Sequence, residues 1–359
     1  MIRAGVVGYG LAGKVFHAPM ISAVEGLELA AVVERSSRNA EQAYPGITTY
    51  TSLEAMLEDE SIELVVIATP NLLHAPQAEA ALAAGRHVVV DKPVGNNSAQ
   101  IAALIAKATE QNRLLIPFHN RRWDSDFRTL QKLLHEEKLG RVVYLESTFD
   151  RWRPTPRRNI WRENGSDGGG LLLDLGTHVA DQVLFLFGLP EAVTGDVRIE
   201  RNNGVTMDSF TIRLRYSGLA VTVSANCLAA IPRPRYLVRG TQGNFIKWGL
   251  DPQEARLKES GRVVENEELG WGDEPPSAWG TLAVDTDGVI ESESLKPIPG
   301  DYRLFYAGVR DAILGKAAPP VQAVDAWRST RLLEWAEESS ASHCEVVCNW
   351  AEAPKAASV

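Results

Sequence analysis

A β-strand running directly into Gly-x-Gly-x-x-Gly restricts the fold of a chain more than any other short feature, and this chain opens with one. Ile2 to Val7 is a short apolar run; Gly8-Tyr9-Gly10-Leu11-Ala12-Gly13 and a helix-compatible segment follow. Each glycine has a mechanical reason. Gly8 permits a tight turn at the strand end, Gly10 leaves the backbone bare for a pyrophosphate, and Gly13 lets the next helix pack close. The unpaired N–H groups of that helix start, around Leu11 and Ala12, suit phosphate oxygens. Leu27 to Val33 reads as a second buried strand and ends in Glu34. That is about twenty residues past the glycines, where a ribose-reading acid belongs. The combination predicts a dinucleotide site rather than an incidental glycine turn.

The first third keeps the alternation that such a site requires. Helical Ser52 to Leu57, strand Glu63 to Ala68, helix His74 to Ala84, strand His87 to Val90, helix Ser98 to Glu110 and strand Leu114 to Phe118 predict a parallel sheet with helices on both faces. Pro19 is expected to end or restart the first helix. Past Asn120 the pattern changes. A helix from Asp124 to Glu137 and a long strand from Arg141 to Phe149 come first. A helix from Asp174 to Phe187 then precedes strands at 192–201, 209–216, 220–228, 236–240 and 244–248. Trp271 to Thr286, rich in Gly, Pro and acids, reads as a surface loop, and helices at 302–314 and 321–340 close the chain. The fold class expected is α/β: a Rossmann domain over residues 1–122 and an α+β domain with a large, mostly antiparallel open sheet over 123–359.

A length of 359 residues suits two cores. The net charge of -9 speaks against nucleic acid and anionic membranes as partners. No apolar run approaches the roughly twenty residues that span a bilayer, and the first strand starts too early for a signal peptide. Cys227, Cys344 and Cys348 lack Cys-x-x-Cys spacing, as expected of reduced thiols in the cytoplasm.

Ligands of open α/β sheets bind beyond the carboxyl ends of the strands. Three such ends carry chemistry: Thr69-Pro70-Asn71 with His74, Asp91-Lys92-Pro93, and His119-Asn120-Arg121-Arg122-Trp123. Lys92 at a strand end is read as functional rather than as an idle surface charge. Further on, Gly168-Gly169-Gly170 precedes Asp174, His178 and Asp181. Asp174 and His178, four apart, are expected on one helix face, the carboxylate raising the imidazole pKa and orienting a general base. No further ligand-spaced motif supports a metal. The segment Arg151 to Arg162 holds five arginines and two tryptophans. In so acidic a chain it reads as a cover offering cations to a polar ligand. A solvated loop, or single-stranded nucleic acid with steeply salt-dependent binding, are the other readings.

Taken in this order, these motifs resemble the Gfo/Idh/MocA oxidoreductases, from the first strand to the last helices. Phe118 to Phe127 further resembles the branch that contains bacterial NADP-dependent scyllo-inositol dehydrogenases. The resemblance implies a catalytic group of Lys92, Asp174 and His178, and a pyrophosphate held at Gly8, Gly10 and Gly13. It also implies that Thr69, Asn71 and His74 line the cofactor's path, with Arg121 and Trp161 near the nicotinamide. Lys92, Arg153, Asp174, His178 and Tyr236 would meet a polyol or sugar, and the second sheet would make homodimers or homotetramers. Most members have Glu before the Lys-Pro pair; Asp91 stands there in this sequence. Glu34 suits a ribose 2′-hydroxyl and hence NAD, whereas Arg35, Ser36, Ser37 and Arg38 suit a 2′-phosphate; with the branch resemblance NADP is expected. The alternative class is a dinucleotide-sensing protein without catalysis.

Overall fold

The computed structural model describes residues 1–157, 160–165, 169–263 and 270–354. A six-stranded parallel sheet is built from β1 (Ile2–Val7), β2 (Leu27–Val33), β3 (Thr48–Tyr50), β4 (Leu64–Ile67), β5 (His87–Val90) and β6 (Leu115–Pro117). Its order is β3-β2-β1-β4-β5-β6, so the topology reverses between β1 and β4, where a crevice opens beyond the strand ends. Its connecting helices are α1 (Ala18–Ala23), α2 (Asn39–Ala43), α3 (Leu53–Leu57), α4 (His74–Ala83) and α5 (Ser98–Glu110). A π-helical turn, Gly13–His17, precedes α1, and Pro19 falls in the first turn of α1. The first helix thus restarts at the proline, where a missing N–H costs nothing.

After α6 (Ser125–His135) comes a nine-stranded sheet. Its strands are β7 (Val142–Asp150), β8 (Ala192–Arg198), β9 (Ser209–Tyr216), β10 (Leu219–Asn226), β11 (Tyr236–Gly240), β12 (Gly243–Lys247), β13 (Gly280–Thr286), β14 (Val289–Leu295) and β15 (Val346–Val347). They run in the order β14-β13-β12-β11-β7-β10-β9-β8-β15. Within this sheet, among the described residues, only the β7–β10 pairing is parallel. The expected fold class is therefore present: a Rossmann sheet followed by a mostly antiparallel one. α7 (Thr177–Phe187), α8 (Gln253–Ser260), α9 (Arg303–Ile313) and α10 (Ala323–Ser342) complete the chain.

Three apolar clusters hold these layers. α6, α7 and the second half of α10 cover one face of the large sheet, with Phe127, Val179, Leu332 and Trp335 among the buried residues. The first sheet is covered on one face by Met20, Ile21, Phe305 and Tyr306, and on the other by α3, α4, α5 and Trp327 of α10. α10 therefore reaches both sheets. Glu334 ties it further, accepting from Ser98 N (2.6 Å) and Oγ (2.7 Å) at the start of α5. Gly195 of β8 allows the strand to meet α10, since a Cβ there would lie 2.0 Å from the Ala336 carbonyl oxygen. Among the described residues no helix is long and apolar enough to cross a membrane.

One segment departs from the expectation. Trp271 to Thr286 is not a surface loop: Trp271 is 3% exposed in the first-sheet core, and Gly280–Thr286 is β13, paired with β12 and β14. Its acids misled because one of them is neutralised indoors. Glu274 and Lys247, each 1% exposed, pair at 2.8 Å. β14 (VIESESL) gave no signal because its face is solvent-exposed.

Candidate active site

The glycine turn adopts the shape that its spacing implied. Gly8 has φ +95°, beyond the reach of most side chains, and a Cβ on Gly13 would lie 2.0 Å from the Gly8 carbonyl oxygen. A Cβ on Gly10 would meet nothing within 4 Å. This is the bare approach that a pyrophosphate needs, so the local backbone fits a dinucleotide. A cavity of about 550 Å³ extends from it, and Gly8, Gly10, Glu34, Arg35, Ser36 and Thr69 are among its lining residues. Tyr9, Ser37, Ser52 and Gln77 line it as well; of these, only Ser37 carried a signal in the sequence. Leu11 is exposed, Ala12 half-buried at the start of the π-helical turn, and Arg38 points to Glu41 at 2.7 Å.

Glu34 does more than face the cavity. Its carboxylate accepts from Ser37 Oγ (2.6 Å) and Ala40 N (2.8 Å), fastening the loop into α2. Asn71 is buried in the turn after β4. His74 is buried, and its ring nitrogens lie 2.7 Å from the carbonyl oxygens of Pro93 and Thr69. It clamps the two strand-end loops together and offers no free edge to a cofactor. Asp91 Oδ1 accepts from Lys92 N at 2.8 Å, and the Lys92–Pro93 peptide is cis.

Lys92 leaves the first sheet and meets the second half of the chain. Its Nζ donates to the Asp174 carbonyl (2.7 Å) and to Asp174 Oδ1 (3.0 Å). Asp174 sits in a π-helical turn, Leu172–Gly176, that leads into α7. Two more cations approach it, Arg151 at 3.6 Å and Arg162 at 3.7 Å. Burial opposes ionisation here, but Lys92, Arg151 and Arg162 outweigh it and hold the carboxyl far below the usual range. The sequence singled out neither Arg151 nor Arg162 individually, because pairs this far apart leave no local spacing to read.

The expected Asp174–His178 couple is corrected by this geometry. The carboxylate turns to three cations, and among the described residues no hydrogen bond joins it to the imidazole. His178 is 4% exposed, its Nδ1 buried without a partner. Burial first, then Lys92, Arg121, His119 and Arg235, drive its pKa well below the usual value instead of raising it. Burial and these cations favour the neutral imidazole. His119, also buried with neither ring nitrogen partnered, lies 3.9 Å from Asp181. Asp181 is taken by Arg122 (2.6 Å).

Two other expectations, for Arg121 and Tyr236, shift. Arg121 is consumed internally by Asp124 (3.2 Å) and Glu254 (2.6 Å), because a guanidinium so buried requires counter-ions. Tyr236 is 1% exposed in the large-sheet core, its hydroxyl donating to Gln182 Oε1 (2.9 Å). It is closed off from any ligand in this conformation. Trp161 is half-buried, with the Arg162 guanidinium 4.4 Å above its ring. Arg153 is exposed and lines a recess beside Asp174 with Arg151, Arg157 and Arg162. Arg158, Asn159 and Gly168 lie outside the described residues.

Comparison with known proteins agrees with this architecture. Residues 2–119 match the model of the oxidoreductase family with an NAD-binding Rossmann fold, and residues 127–246 match the GFO/IDH/MocA C-terminal domain. The chain is 42% identical to the uncharacterised oxidoreductase YdgJ of Escherichia coli over 97% of its own length and 98% of that protein. It is 34% identical to the scyllo-inositol 2-dehydrogenase (NADP(+)) IolW of Bacillus subtilis over 94% of each. An oxidoreductase structure from Bacillus cereus superposes with a TM-score of 0.88 at 28% identity, covering 97% of this chain and 99% of that one. The glycine cradle, the two-sheet architecture and these matches together make the chain a member of the Gfo/Idh/MocA oxidoreductase family, an NAD(P)-dependent dehydrogenase.

Proposed function

We propose that this dehydrogenase acts on a secondary alcohol of a polyol or sugar, with scyllo-inositol a leading candidate, and that Lys92, Asp174 and His178 are its catalytic residues. The observation that carries this reading is the Lys92–Asp174 contact, which joins a strand end of the Rossmann sheet to the helix bearing His178. In this reading residues 1–122 hold the dinucleotide and 123–359 the substrate, with α8 and α9 packed back on the first sheet.

A bound nicotinamide dinucleotide supplies a hydride acceptor or donor. Gly8, Gly10 and Gly13 would hold its pyrophosphate and Arg35, Ser36 and Thr69 its flanks. Lys92, fixed by two bonds to Asp174, directs its remaining N–H at the alcohol oxygen and stabilises negative charge that develops there. His178, kept neutral by burial and surrounding cations, accepts the hydroxyl proton. Asp174 balances the lysine, not the imidazole. The testing experiment is a spectrophotometric screen of inositols, aldoses and their keto forms with each cofactor. Turnover of none of them, with cofactor binding intact, would favour the dinucleotide-sensing alternative.

NADP is the proposed cofactor. Glu34 is already engaged by Ser37 and Ala40, and among the described residues no carboxylate pairs with Arg35, which lines the same cavity. Arg35→Ala is expected to weaken NADP binding about tenfold or more, since a hydrogen bond to a charged group is worth ~1.5–3 kcal/mol. NAD affinity should stay within about twofold. Fluorescence titration with both cofactors checks this, and equal losses would remove Arg35 from the role. The three cysteines are free, which supports a cytoplasmic location. The uncovered face of the large sheet, with Thr211, Arg213 and Arg215 of β9 exposed, is the proposed oligomer contact. A monomeric mass by light scattering would exclude it.

A further inference from the structure

The recess beside Asp174 carries an imbalance of charge that a neutral sugar leaves unexplained. Five guanidinium groups line it (Arg151, Arg153, Arg157, Arg162 and Arg201) against two carboxylates, Glu163 and Asp174. Two of the arginines are satisfied within the protein. Arg157 donates twice to Glu163 Oε1 (2.9 and 2.7 Å), and Arg201 bonds Asp208 and Glu163 (2.9 Å each). The other three are not. Arg151 and Arg162 stand 3.6 and 3.7 Å from an Asp174 carboxylate that already bonds Lys92, beyond hydrogen-bond distance. Among the described residues no carboxylate pairs with the Arg153 guanidinium; the backbone of Arg153 is engaged, its N–H donating to the Cys227 carbonyl (2.7 Å) and its carbonyl accepting from Arg201. The Arg151 side chain is only 23% exposed. A cation so covered and so poorly matched is costly to retain for structure alone. Burial first, then Arg153 and Arg121, push the Arg151 pKa down against the pull of Asp174.

Guanidinium forks match the oxygens of carboxylate and phosphate groups. We propose that Arg151, Arg153 and Arg162 form a subsite for an anionic group carried by the substrate, so that the enzyme prefers a phosphorylated or carboxylated polyol to a neutral one. This rests on the polyol dehydrogenase reading. The anion seats over the three arginines while the adjoining secondary alcohol lies at Lys92 and His178, which the shared Asp174 keeps next to the subsite.

The test uses the full chain, saturated with NADPH for calorimetry and with NADP+ for alcohol-oxidation kinetics, at constant ionic strength because exposed charges are screened. Glucitol, glucitol 6-phosphate, gluconate and inorganic phosphate are the probes, read by calorimetry and by steady-state kinetics. At least one of the two anionic polyols should bind about tenfold or more tightly than glucitol. Inorganic phosphate should compete with it, and the two polyols together distinguish phosphate from carboxylate preference. The Arg153→Ala/Arg162→Gln double variant should lose that preference, with NADPH affinity serving as the folding control. Equal binding of neutral and anionic polyols by the wild type, or a preference that survives in the variant, would overturn the subsite. Anion binding lost in the variant, without turnover of any alcohol, would uphold the subsite and count against the polyol reaction. Brisk turnover of neutral polyols with no response to anions would do the reverse.

Discussion

Lys92→Ala is expected to lower turnover by about 10²–10⁴-fold while leaving cofactor affinity close to wild type. In the proposed reaction the lysine is the donor to the reacting oxygen, and its own position depends on two bonds to Asp174, at 2.7 and 3.0 Å. Asp174 keeps Arg151 and Arg162 when the ammonium is removed, so the pocket retains its shape and the loss falls on kcat. Lys92→Arg should not restore activity, because a planar fork cannot occupy the place of a compact ammonium. His178→Ala should lose activity on the same scale. The sign of the pH response follows from the imidazole. Its pKa lies well below 6.5 because of burial and neighbouring cations, so the neutral, proton-accepting form persists into acid. The acid limb of the alcohol-oxidation profile should therefore fall below pH 6.5. Steady-state kinetics across pH, with cofactor titrations of both variants, measure all of this. Near-wild-type turnover in Lys92→Ala would refute the role.

The largest stability loss is expected from Glu274→Ala, at about 3–5 kcal/mol. Lys247 and Glu274 are each 1% exposed, and the ammonium also donates to the carbonyls of Trp248 (2.7 Å) and Ala278 (2.8 Å). Removing the carboxylate strands a buried positive charge and also deprives Ser125 Oγ of its acceptor. The urea midpoint should fall at unchanged slope. Lys247→Met combined with Glu274→Leu should recover most of the loss, because an apolar pair leaves no charge behind. A loss under about 1 kcal/mol in the single variant would mean that the pair is solvated in solution.

The difference between these two sites shows what a linear sequence displays. Much of what is built from neighbours in the chain was legible. The strand-then-glycine turn, helix α5 at Ser98–Glu110 and strand β9 at Ser209–Tyr216 appear where periodicity put them. What depends on distant partners was not. Glu274 looked like a solvent-exposed acid until folding supplied Lys247. Arg121 looked available until Glu254, 133 residues away, claimed it. Asp174 and His178 were placed correctly on consecutive turns, yet the partner of the carboxylate proved to be Lys92, 82 residues earlier. A buried ion chooses the nearest opposite charge, and spacing along one helix cannot announce a rival arriving from another sheet. The same reasoning applies to Tyr236, whose hydroxyl is consumed by Gln182.

A single twenty-residue rod, α10, has Trp327 embedded beneath one sheet and Leu332, Leu333 and Trp335 embedded beneath the other. Riveted by Glu334 to the start of α5 and pressed against Gly195, it makes a clamshell swing of the two lobes expensive. Such a tie favours a constant separation between the lysine on one sheet and the histidine beside the other. In the proposed reaction the two halves of the site would then meet the substrate as a fixed jig.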